Sequence, residues 1–310
     1  MHGIKVRDVA HVRFAAPDLA LMRGFLEDFG MSCTAGDEEG ILYMRGAGEE
    51  PFIHSTRLGA SAFLGVTLEA ASLADLERLA SATGATITEA QAPGGGYVLG
   101  LTDPDNISVS VIVGQAPVPA APRASRAGWN DAEVRRRVRA VKRVPASPSQ
   151  VVRLGHVVLS VSDFRTSERW WKDRFGFITS DEVQLPGGFA LGAFLRCDRG
   201  AEPTDHHSIF LVQIPGHAPG FHHAAFEVRD LDDLMAGHNH LERKQHRSAW
   251  GVGRHTLGSQ VFDYWLDPWG HQLEHWTDGD LFTAEDAPRI ATVEELMGTQ
   301  WGPAAPTVQP

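Results

Sequence analysis

The strongest constraint on the fold is an internal repeat, because the second half of the chain follows the plan of the first. The segment VAHVRFAAPDLALMRGFLEDFGM parallels LGHVVLSVSDFRTSERWWKDRFGF, FLGVTLEAASLADL parallels FHHAAFEVRDLDDL, and LTDPDNISVSV parallels LDPWGHQLEHW. The spacing between matched segments grows along the chain, which indicates modest insertions in the second copy. The aligned pairs that matter for chemistry are His11 with His156, Gly65 with His223, and Ser110 with Glu274.

Each copy has the local pattern of a strand, an amphipathic helix and further strands. Residues 9–15 are predicted to form a strand, and Asp18 is placed to cap a helix that runs to about residue 29. The stretch FLGVTLEAASLADLERLA indicates a strand that leads into a helix. YVLGLTDPDNISVSVIV indicates a hairpin that turns at residues 103–106. The pattern predicts an α+β protein with a duplicated architecture.

The composition of the segment between the two copies indicates a domain boundary. We expect an N-terminal domain over 1–114, a linker over 115–150, a C-terminal catalytic domain over 151–280, and a tail over 281–310 that packs on the body. The linker has Pro, Ala and Ser flanking a basic stretch, for which we predict a short helix after Asn130. The tail contains a helix candidate at 292–297, followed by WGPAAP.

The charge balance and cysteine content narrow the functional classes. A formal net charge of -11 and a pI near 5.7 argue against nucleic-acid binding, which needs clustered positive charge. The two cysteines, Cys33 and Cys197, exclude a disulfide framework and are typical of a reducing compartment. The N-terminus has no apolar run of signal-peptide length, and no segment is apolar enough to span a bilayer. We therefore expect a cytoplasmic enzyme without a membrane partner.

Strand periodicity places three metal-binding residue types on one face. In LGHVVLSVSD, His156 shares a face with small or polar residues, while the aliphatic alternates should face the helix. In HHAAFEV, choosing His223 sends Phe226 to the helix side, whereas choosing His222 would send it into the hollow of the sheet. In the last strand, Glu274 shares its face with Gln272 and Trp276, and Leu273 points away. Two imidazoles and one carboxylate match the facial triad that suits non-haem Fe(II) and leaves coordination positions open.

Each of these residues also has an ordinary structural explanation. A lone histidine on a strand is more often a hydrogen-bonded structural residue, and a strand glutamate is more often solvated. The repeat favours metal binding over these structural explanations, because all three residues occupy equivalent places of a duplicated unit. The first copy keeps a histidine, His11, but has Gly65 and Ser110 at the other two positions. A metal site is therefore predicted in the second copy alone. Five further histidines lack this positional support and are interpreted as surface or supporting residues: His206, His222, His246, His271 and His275.

Several motifs resemble those of the extradiol ring-cleavage dioxygenases of the vicinal oxygen chelate, or glyoxalase-fold, superfamily. They are HHAAFEV, DHHSI, GRHTLGSQVFDYW and LDPWGHQLEHW, and the resemblance covers nearly the whole chain. It implies tandem βαβββ modules that form two incomplete β-barrel domains. It also implies an Fe(II) cofactor, with Mn(II) as an alternative, and O2-dependent meta-cleavage of a catechol. Homo-oligomers are common in the family, so we expect one here.

The resemblance also assigns roles to individual residues. It implies that His156, His223 and Glu274 bind the metal and that His207 acts as acid and base. It also implies that His255 lies beside the substrate and O2, and that Tyr264 hydrogen-bonds a catechol hydroxyl.

One departure from the family pattern concerns the substrate. Members that take carboxylate-bearing catechols place one arginine shortly before GRH and another in the tail, where this chain has Trp250 and the segment EELMGTQ. Burying a carboxylate without a cation is costly. We therefore expect a neutral catechol or hydroxyquinol with alkyl or aryl substituents, bound against Trp250.

Two other functions share this fold. A glyoxalase- or epimerase-type metalloenzyme would transfer protons without consuming O2. A metal-free binding protein of the bleomycin-resistance type would sequester a ligand and hold no iron. The GRH motif and Tyr264 argue against the first of these functions, and iron content would separate the dioxygenase from the second.

Overall fold

The computed structural model describes residues 3–34, 40–122 and 128–306. Four βαβββ modules follow one another along the chain, two in each half. The first half contains β1 (Val6–Ala16), α1 (Leu19–Phe29), β2 (Ser32–Cys33), β3 (Ile41–Arg45), β4 (His54–Leu58), β5 (Ala62–Ala70), α2 (Leu73–Thr83), β6 (Ile87–Glu89), β7 (Tyr97–Thr102) and β8 (Ser108–Val113).

The second half repeats this order with small additions. Its elements are β9 (Val151–Ser160), α3 (Phe164–Phe175), β10 (Ile178–Gln184), β11 (Ala190–Arg196), β12 (Thr204–Asp205), β13 (Ile209–Val212), β14 (Gly220–Val228), α4 (Leu231–Arg243), β15 (Arg247–His255), β16 (Val261–Leu266) and β17 (Gln272–Thr277). The chain ends with β18 (Leu281–Phe282), β19 (Arg289–Thr292), α5 (Val293–Met297) and β20 (Thr299–Trp301).

Each half forms one strongly curved sheet. The first has eight strands in the order β2-β3-β4-β1-β5-β8-β7-β6, and the second has ten in the order β19-β10-β11-β13-β9-β14-β17-β16-β15-β20. The two modules of each half meet where their first strands pair antiparallel, β1 with β5 and β9 with β14. Neither sheet closes into a full barrel, so each keeps a hollow on its concave side. This is the α+β glyoxalase-type architecture that the motifs implied.

Helix capping explains where the four long helices begin. An extended Asp or Ser precedes each one and accepts a hydrogen bond from a backbone N–H of the first turn. The predicted cap at Asp18 is confirmed, since its side chain accepts from the Leu21 N–H and α1 ends at Phe29. The other caps are Ser72, Asp163 and Asp230. The hairpin predicted at 103–106 is also present, between β7 and β8.

The helices cover the convex side of each sheet and leave the concave side for other contacts. Phe226, which alternation assigned to the helix side, is fully buried against Phe29 of α1, with ring centroids 5.9 Å apart. Val157 and Leu159 lie in the same apolar core. The strand faces follow the predicted alternation, so the residues between these apolar positions point into the hollow.

The helix predicted after Asn130 is wrong. Residues 128–150 contain no helix, and the Asn130 side chain instead accepts from the Arg137 N–H at 2.8 Å and donates to the Arg137 carbonyl. On a helix, Arg139 would lie against Arg135 and Arg136 at i+4 and i+3 spacing and repel them, and the prolines that follow disfavour helical backbone. The tail helix is confirmed as α5, which begins with a capping box between Thr292 and Glu295. Within the described ranges, no helix is long and apolar enough to cross a bilayer.

Candidate active site

The hollow of the second sheet has a row of side chains that crosses five neighbouring strands. Strand pairing aligns His156 of β9 with Ala225 of β14, and Ala225 with Glu274 of β17. Glu274 in turn aligns with Tyr264 of β16, which pairs with Trp250 of β15. Directly paired residues on one face have neighbouring side chains. The register therefore brings together residues that are as far apart in the chain as His156 and Glu274.

The three predicted ligands meet at the centre of this row. The Nε2 atoms of His156 and His223 lie 3.3 and 3.4 Å from the same oxygen, Oε2 of Glu274. One ligand atom from each residue lies within 4.8 Å of the others, and all three residues are buried. Ala225 lies between His156 and Glu274 in the register, and its small side chain leaves the space between them open.

The donor atoms fit a divalent metal ion. Both carboxylate oxygens of Glu274 are buried, and neither has a hydrogen-bond partner among the described residues. Burial opposes the charge of Glu274, but the facing imidazole nitrogens of His156, His223 and His255 outweigh it and hold the pKa well below its usual range. A buried ionised carboxylate needs a cation or hydrogen-bond donors. Two imidazoles and one carboxylate are the ligands that a 2-His-1-carboxylate iron centre uses.

A second group lies beside this trio on the side of β15 and β16. The Nε2 atom of His255 is 3.0 Å from the Tyr264 hydroxyl and 3.7 Å from Oε1 of Glu274. Burial raises the pKa of Tyr264 well above its usual value, and the negative charge of Glu274 adds to this effect. Trp250 stacks on Tyr264 with ring centroids 5.5 Å apart, and its indole N–H donates to the Pro303 carbonyl. The structure thus gathers His255, Tyr264 and Trp250 at one edge of the trio.

His207 lies on the opposite side. Its ring centroid is 4.1 Å from that of His156, and its side chain is buried. Burial lowers the pKa of His207 well below its usual value, and neighbouring His156 and His206 act in the same direction. The imidazole is therefore neutral, with one of its two ring nitrogens unprotonated.

Apolar side chains line the hollow next to His207. Phe194 packs edge-on against His207, with centroids 4.8 Å apart, and stacks on Phe210 at 4.0 Å. The same apolar cluster includes Val158 and Leu257, and Leu296 of α5 packs against it. Of the arginines near the predicted cationic positions, Arg254 pairs with Asp278 and Arg289 pairs with Asp181 and Glu295, while Arg247 is exposed at the start of β15.

Comparisons with known proteins identify the family that this chain resembles. The sequence profile of the Glyoxalase/Bleomycin resistance protein/Dioxygenase superfamily matches residues 153–275. Metapyrocatechase 2 of Cupriavidus necator is 29% identical over 307 residues, which cover 97% of this chain and 90% of that protein. The match places residues 153–275 in this superfamily, and the protein is an extradiol dioxygenase.

Other relatives of this dioxygenase are more distant or cover less of the chain. An iron-dependent extradiol dioxygenase of Rhodococcus jostii is 33% identical over 155 residues, covering 48% of this chain and 50% of that protein. The Mn(II)-bound glyoxalase of Novosphingobium aromaticivorans superposes with a TM-score of 0.80 at 22% identity, covering 99% of this chain and 94% of that one. The 2,3-dioxygenase LapB of Pseudomonas sp. KL28 gives 0.76 at 18% identity, covering 94% and 99%. At these identities the structural likenesses show the fold.

Sequence reasoning missed the groups that hold His207 of the dioxygenase in place. His206, interpreted as a surface or supporting residue, is buried, and its Nδ1 lies 3.1 Å from Nδ1 of His207. Its Nε2 lies 2.8 Å from Asp181, which also accepts a hydrogen bond from Arg289 at 3.0 Å. The signal in the sequence was the doubled histidine of DHHSI, but the partner carboxylate comes from a different strand.

The remaining histidines of that group have separate positions. His222 lies with its Nδ1 2.8 Å from Nδ1 of His223, so it supports the predicted ligand. His275 is fully buried on the helix side of β17, where its Nε2 lies 2.7 Å from the carbonyl oxygen of Phe29. His246 pairs with Asp28, and His271 pairs with Asp267 in its own turn.

Proposed function

We propose that this dioxygenase holds Fe(II) on His156, His223 and Glu274 and cleaves a neutral, alkyl- or aryl-substituted catechol or hydroxyquinol next to its two hydroxyls. The observation that carries the proposal is the buried carboxylate of Glu274, whose two oxygens have no hydrogen-bond partner in the described part of the chain while two imidazoles face it. The name of the Rhodococcus relative, an iron-dependent extradiol dioxygenase, supports iron over manganese.

When bound, the iron would supply the redox chemistry that joins catechol and O2. The protein side chains have separate tasks around it. The Tyr264 hydroxyl, kept protonated by its raised pKa, would orient one catechol oxygen through a hydrogen bond. His255, 3.0 Å from that hydroxyl, would fix its direction and line the space for O2.

His207 would accept and return a proton. Its neutral ring next to His156 is within reach of a hydroxyl placed at the proposed metal site. A positioned imidazole of this kind contributes about 10²- to 10⁴-fold to rates of proton transfer. The buried setting of Phe194 and Phe210 excludes water that would otherwise compete for the proton. The expected product is a ring-opened 2-hydroxymuconic semialdehyde-type compound.

The lining of the hollow supports a neutral substrate. The side chains beside His207 are apolar, and both Arg254 and Arg289 are paired with carboxylates. Trp250 lies where carboxylate-binding relatives place an arginine, and its ring extends the aromatic wall formed by Tyr264. An alkyl or aryl substituent would lose water on entering this surface, which favours binding at about 25 cal/mol per Å² of apolar area.

The domain assignment is part of the same proposal. We infer that 151–280 is the metal-holding domain, 1–114 a related domain without that site, 115–150 a linker, and 281–310 a tail that closes over the body. The support is that β1–β8 form one sheet and the strands from β9 to β17, apart from β12, belong to another, while β19 and β20 join the two edges of that second sheet. We also propose a homo-oligomer, which light scattering of the purified protein measures.

The test combines metal analysis with oxygen consumption. Protein purified without oxygen and loaded with Fe(II) should bind one iron per chain, consume O2 with an alkyl-substituted catechol, and form a yellow product. A catechol that carries a carboxylate should be a much poorer substrate. A glyoxalase-type reaction would consume no O2, a binding protein would hold no stoichiometric iron, and a preference for Mn(II) in activity assays would overturn the choice of iron.

A matched pair of variants tests the role of His207. We expect His207→Phe to lower turnover by about 10²-fold or more while its iron content stays near that of the wild type. His240→Phe is the control, because His240 lies on α4 and pairs with Asp28 on the convex side. Loss of iron from His207→Phe would place His207 among the ligands and contradict the assignment.

A further inference from the structure

The hollow of the first sheet contains the counterpart of the metal-site row, with different chemistry. Strand pairing aligns His11 of β1 with Thr67 of β5, Thr67 with Ser110 of β8, and Ser110 with Gly100 of β7. In the repeat these four positions correspond to His156, Ala225, Glu274 and Tyr264. The first copy therefore keeps one imidazole, replaces the carboxylate by a hydroxyl, and adds a second hydroxyl between them.

An arginine occupies the space of the missing ligand. Gly65 is the counterpart of His223, and a Cβ built on Gly65 would lie 2.6 Å from Nη2 of Arg13. The same Nη2 donates to the Ser108 hydroxyl at 2.9 Å. In the second copy, the residue equivalent to Arg13 is Val158. A fixed guanidinium therefore lies where the second copy places an imidazole, and it would repel a metal cation.

This hollow has donor atoms without acceptors. Nδ1 of His11, Nε of Arg13 and Oγ1 of Thr67 are all buried, and none has a hydrogen-bond partner in residues 3–34, 40–122 or 128–306. The side chains of His11 and Thr67 are 5% and 1% exposed. Buried polar groups are nearly always paired, so three in one place point to an absent partner. Across the same ranges, no carboxylate lies within ion-pair distance of Arg13.

The hollow is open at one end and aromatic at another. A Cβ built on Gly100, which pairs with Ser110, would have no heavy atom within 4 Å. Arg13 is partly exposed. Burial lowers the pKa of Arg13, and the positive charge of nearby Arg57 lowers it further. The ring of Phe52 lies against His11, with centroids 4.3 Å apart.

We propose that the hollow of the first sheet is a binding site for a small organic carboxylate, held by Arg13, His11 and Thr67. The guanidinium offers a planar fork that matches a carboxylate, and charge-assisted hydrogen bonds of this type are the strong ones. A hydroxyl and an imidazole N–H would satisfy the remaining lone pairs. Phe52 provides an apolar wall next to the donors, so an aromatic carboxylate fits better than acetate.

Ligand-detected NMR on the full-length, iron-loaded protein tests this site with benzoate, acetate and inorganic phosphate at matched ionic strength. We expect benzoate to bind more tightly than acetate, and Arg13→Gln to weaken benzoate binding by about tenfold or more, the equivalent of one charge-assisted hydrogen bond. If phosphate displaces benzoate from the wild type but not from Arg13→Gln, the site binds oxyanions in general and phosphate is a second occupant.

Two variants distinguish the site from general effects. Arg135→Gln removes one positive charge from the exposed linker and should change benzoate affinity less than about twofold. Thr67→Val removes a hydroxyl without a large change in shape and should weaken binding even if Arg13→Gln proves unstable. The proposal is overturned if chloride displaces benzoate equally well, if no anion depends on Arg13 or Thr67, or if binding is lost in Glu274→Gln instead.

Discussion

Replacing Glu274 by glutamine separates metal binding from any structural role of this side chain. In the protein without metal, the carboxylate is fully buried and neither oxygen has a hydrogen-bond partner within the described residues. Burial of a charge costs stability, and an amide of the same shape carries no charge. The amide N–H could also donate to Nε2 of His156 or His223, both within 3.4 Å of the present oxygen. The imidazole contacts that lower the pKa of Glu274 outweigh the cost of burial, and amide hydrogen bonds replace them only in part, so we expect metal-free Glu274→Gln to be less stable than metal-free wild type by about 1 kcal/mol.

The metal makes the difference in stability between wild type and variant larger. A ligand that binds the folded state alone stabilises it by RT ln(1 + [L]/Kd), which is about 2.7 kcal/mol at a free concentration of 100 Kd. Loss of the anionic ligand should weaken metal binding by about 1,000-fold. Mutation of a residue that only hydrogen-bonds a metal ligand already weakens metal binding by about 10- to 100-fold. At the same metal concentration the variant then gains less than about 0.1 kcal/mol. The expected difference in metal gain between the two proteins is therefore close to the whole metal contribution.

Urea unfolding without oxygen, in the presence and absence of Fe(II), measures these four stabilities. Glu294→Gln is the control, because Glu294 is an exposed glutamate on α5 and should leave the metal gain unchanged. The reasoning is refuted if Glu274→Gln keeps the Fe(II) gain. It is also refuted if the metal-free variant loses about 3 kcal/mol or more, the cost of breaking a buried ion pair.

Three further predictions concern groups around the site and in the core. Asp181→Asn should lower kcat about tenfold with unchanged iron content, because His206 loses the carboxylate that orients it towards His207; a kcat equal to wild type would assign Asp181 to stability alone. Gly155→Ala should cost about 1–3 kcal/mol in denaturant unfolding, because the added Cβ would lie 2.5 Å from the indole of Trp276; an unchanged stability would contradict this packing. Burial lowers the pKa of His54 from 6.5 to about 3, so the unfolded chain binds the extra proton and stability falls as the pH drops below about 6.5. Between pH 7 and pH 5, His54→Phe should lose about 2 kcal/mol less than wild type, despite the nearby charges of Asp267 and His271.

The positions of the three proposed ligands followed from strand alternation together with the repeat. Alternation alone left His222 and His223 as competing choices, and the burial of Phe226 on the helix side agrees with His223. Alternation has a period of two, so one wrong residue would have reversed every side chain of β14. The alignment with Gly65 removed this ambiguity, because it compares equivalent strands rather than isolated residues.

What the sequence could not supply was the pairing of residues across strands. The tail strand β19 pairs with β10, and this pairing brings Arg289 to Asp181, which also contacts His206. No local sequence pattern encodes such a contact. The failed helix after Asn130 has a related cause. Local propensity favoured a helix in a basic segment, but repulsion between arginines one helical turn apart and hydrogen bonds between Asn130 and Arg137 gave a turn.

The two hollows would obtain a cation from different sources, one from solution and one from the chain itself. In the second copy, an imidazole at 223 and a carboxylate at 274 leave a cavity that an exchangeable cation would neutralise. In the first copy, a glycine at 65 admits the guanidinium of Arg13, a cation that the chain itself provides. A metal needs anionic or neutral donors around it, whereas a guanidinium needs acceptors. The replacement of Glu274 by Ser110 at the equivalent position is consistent with this difference, because a carboxylate there would have paired with Arg13 and closed the site to any anion.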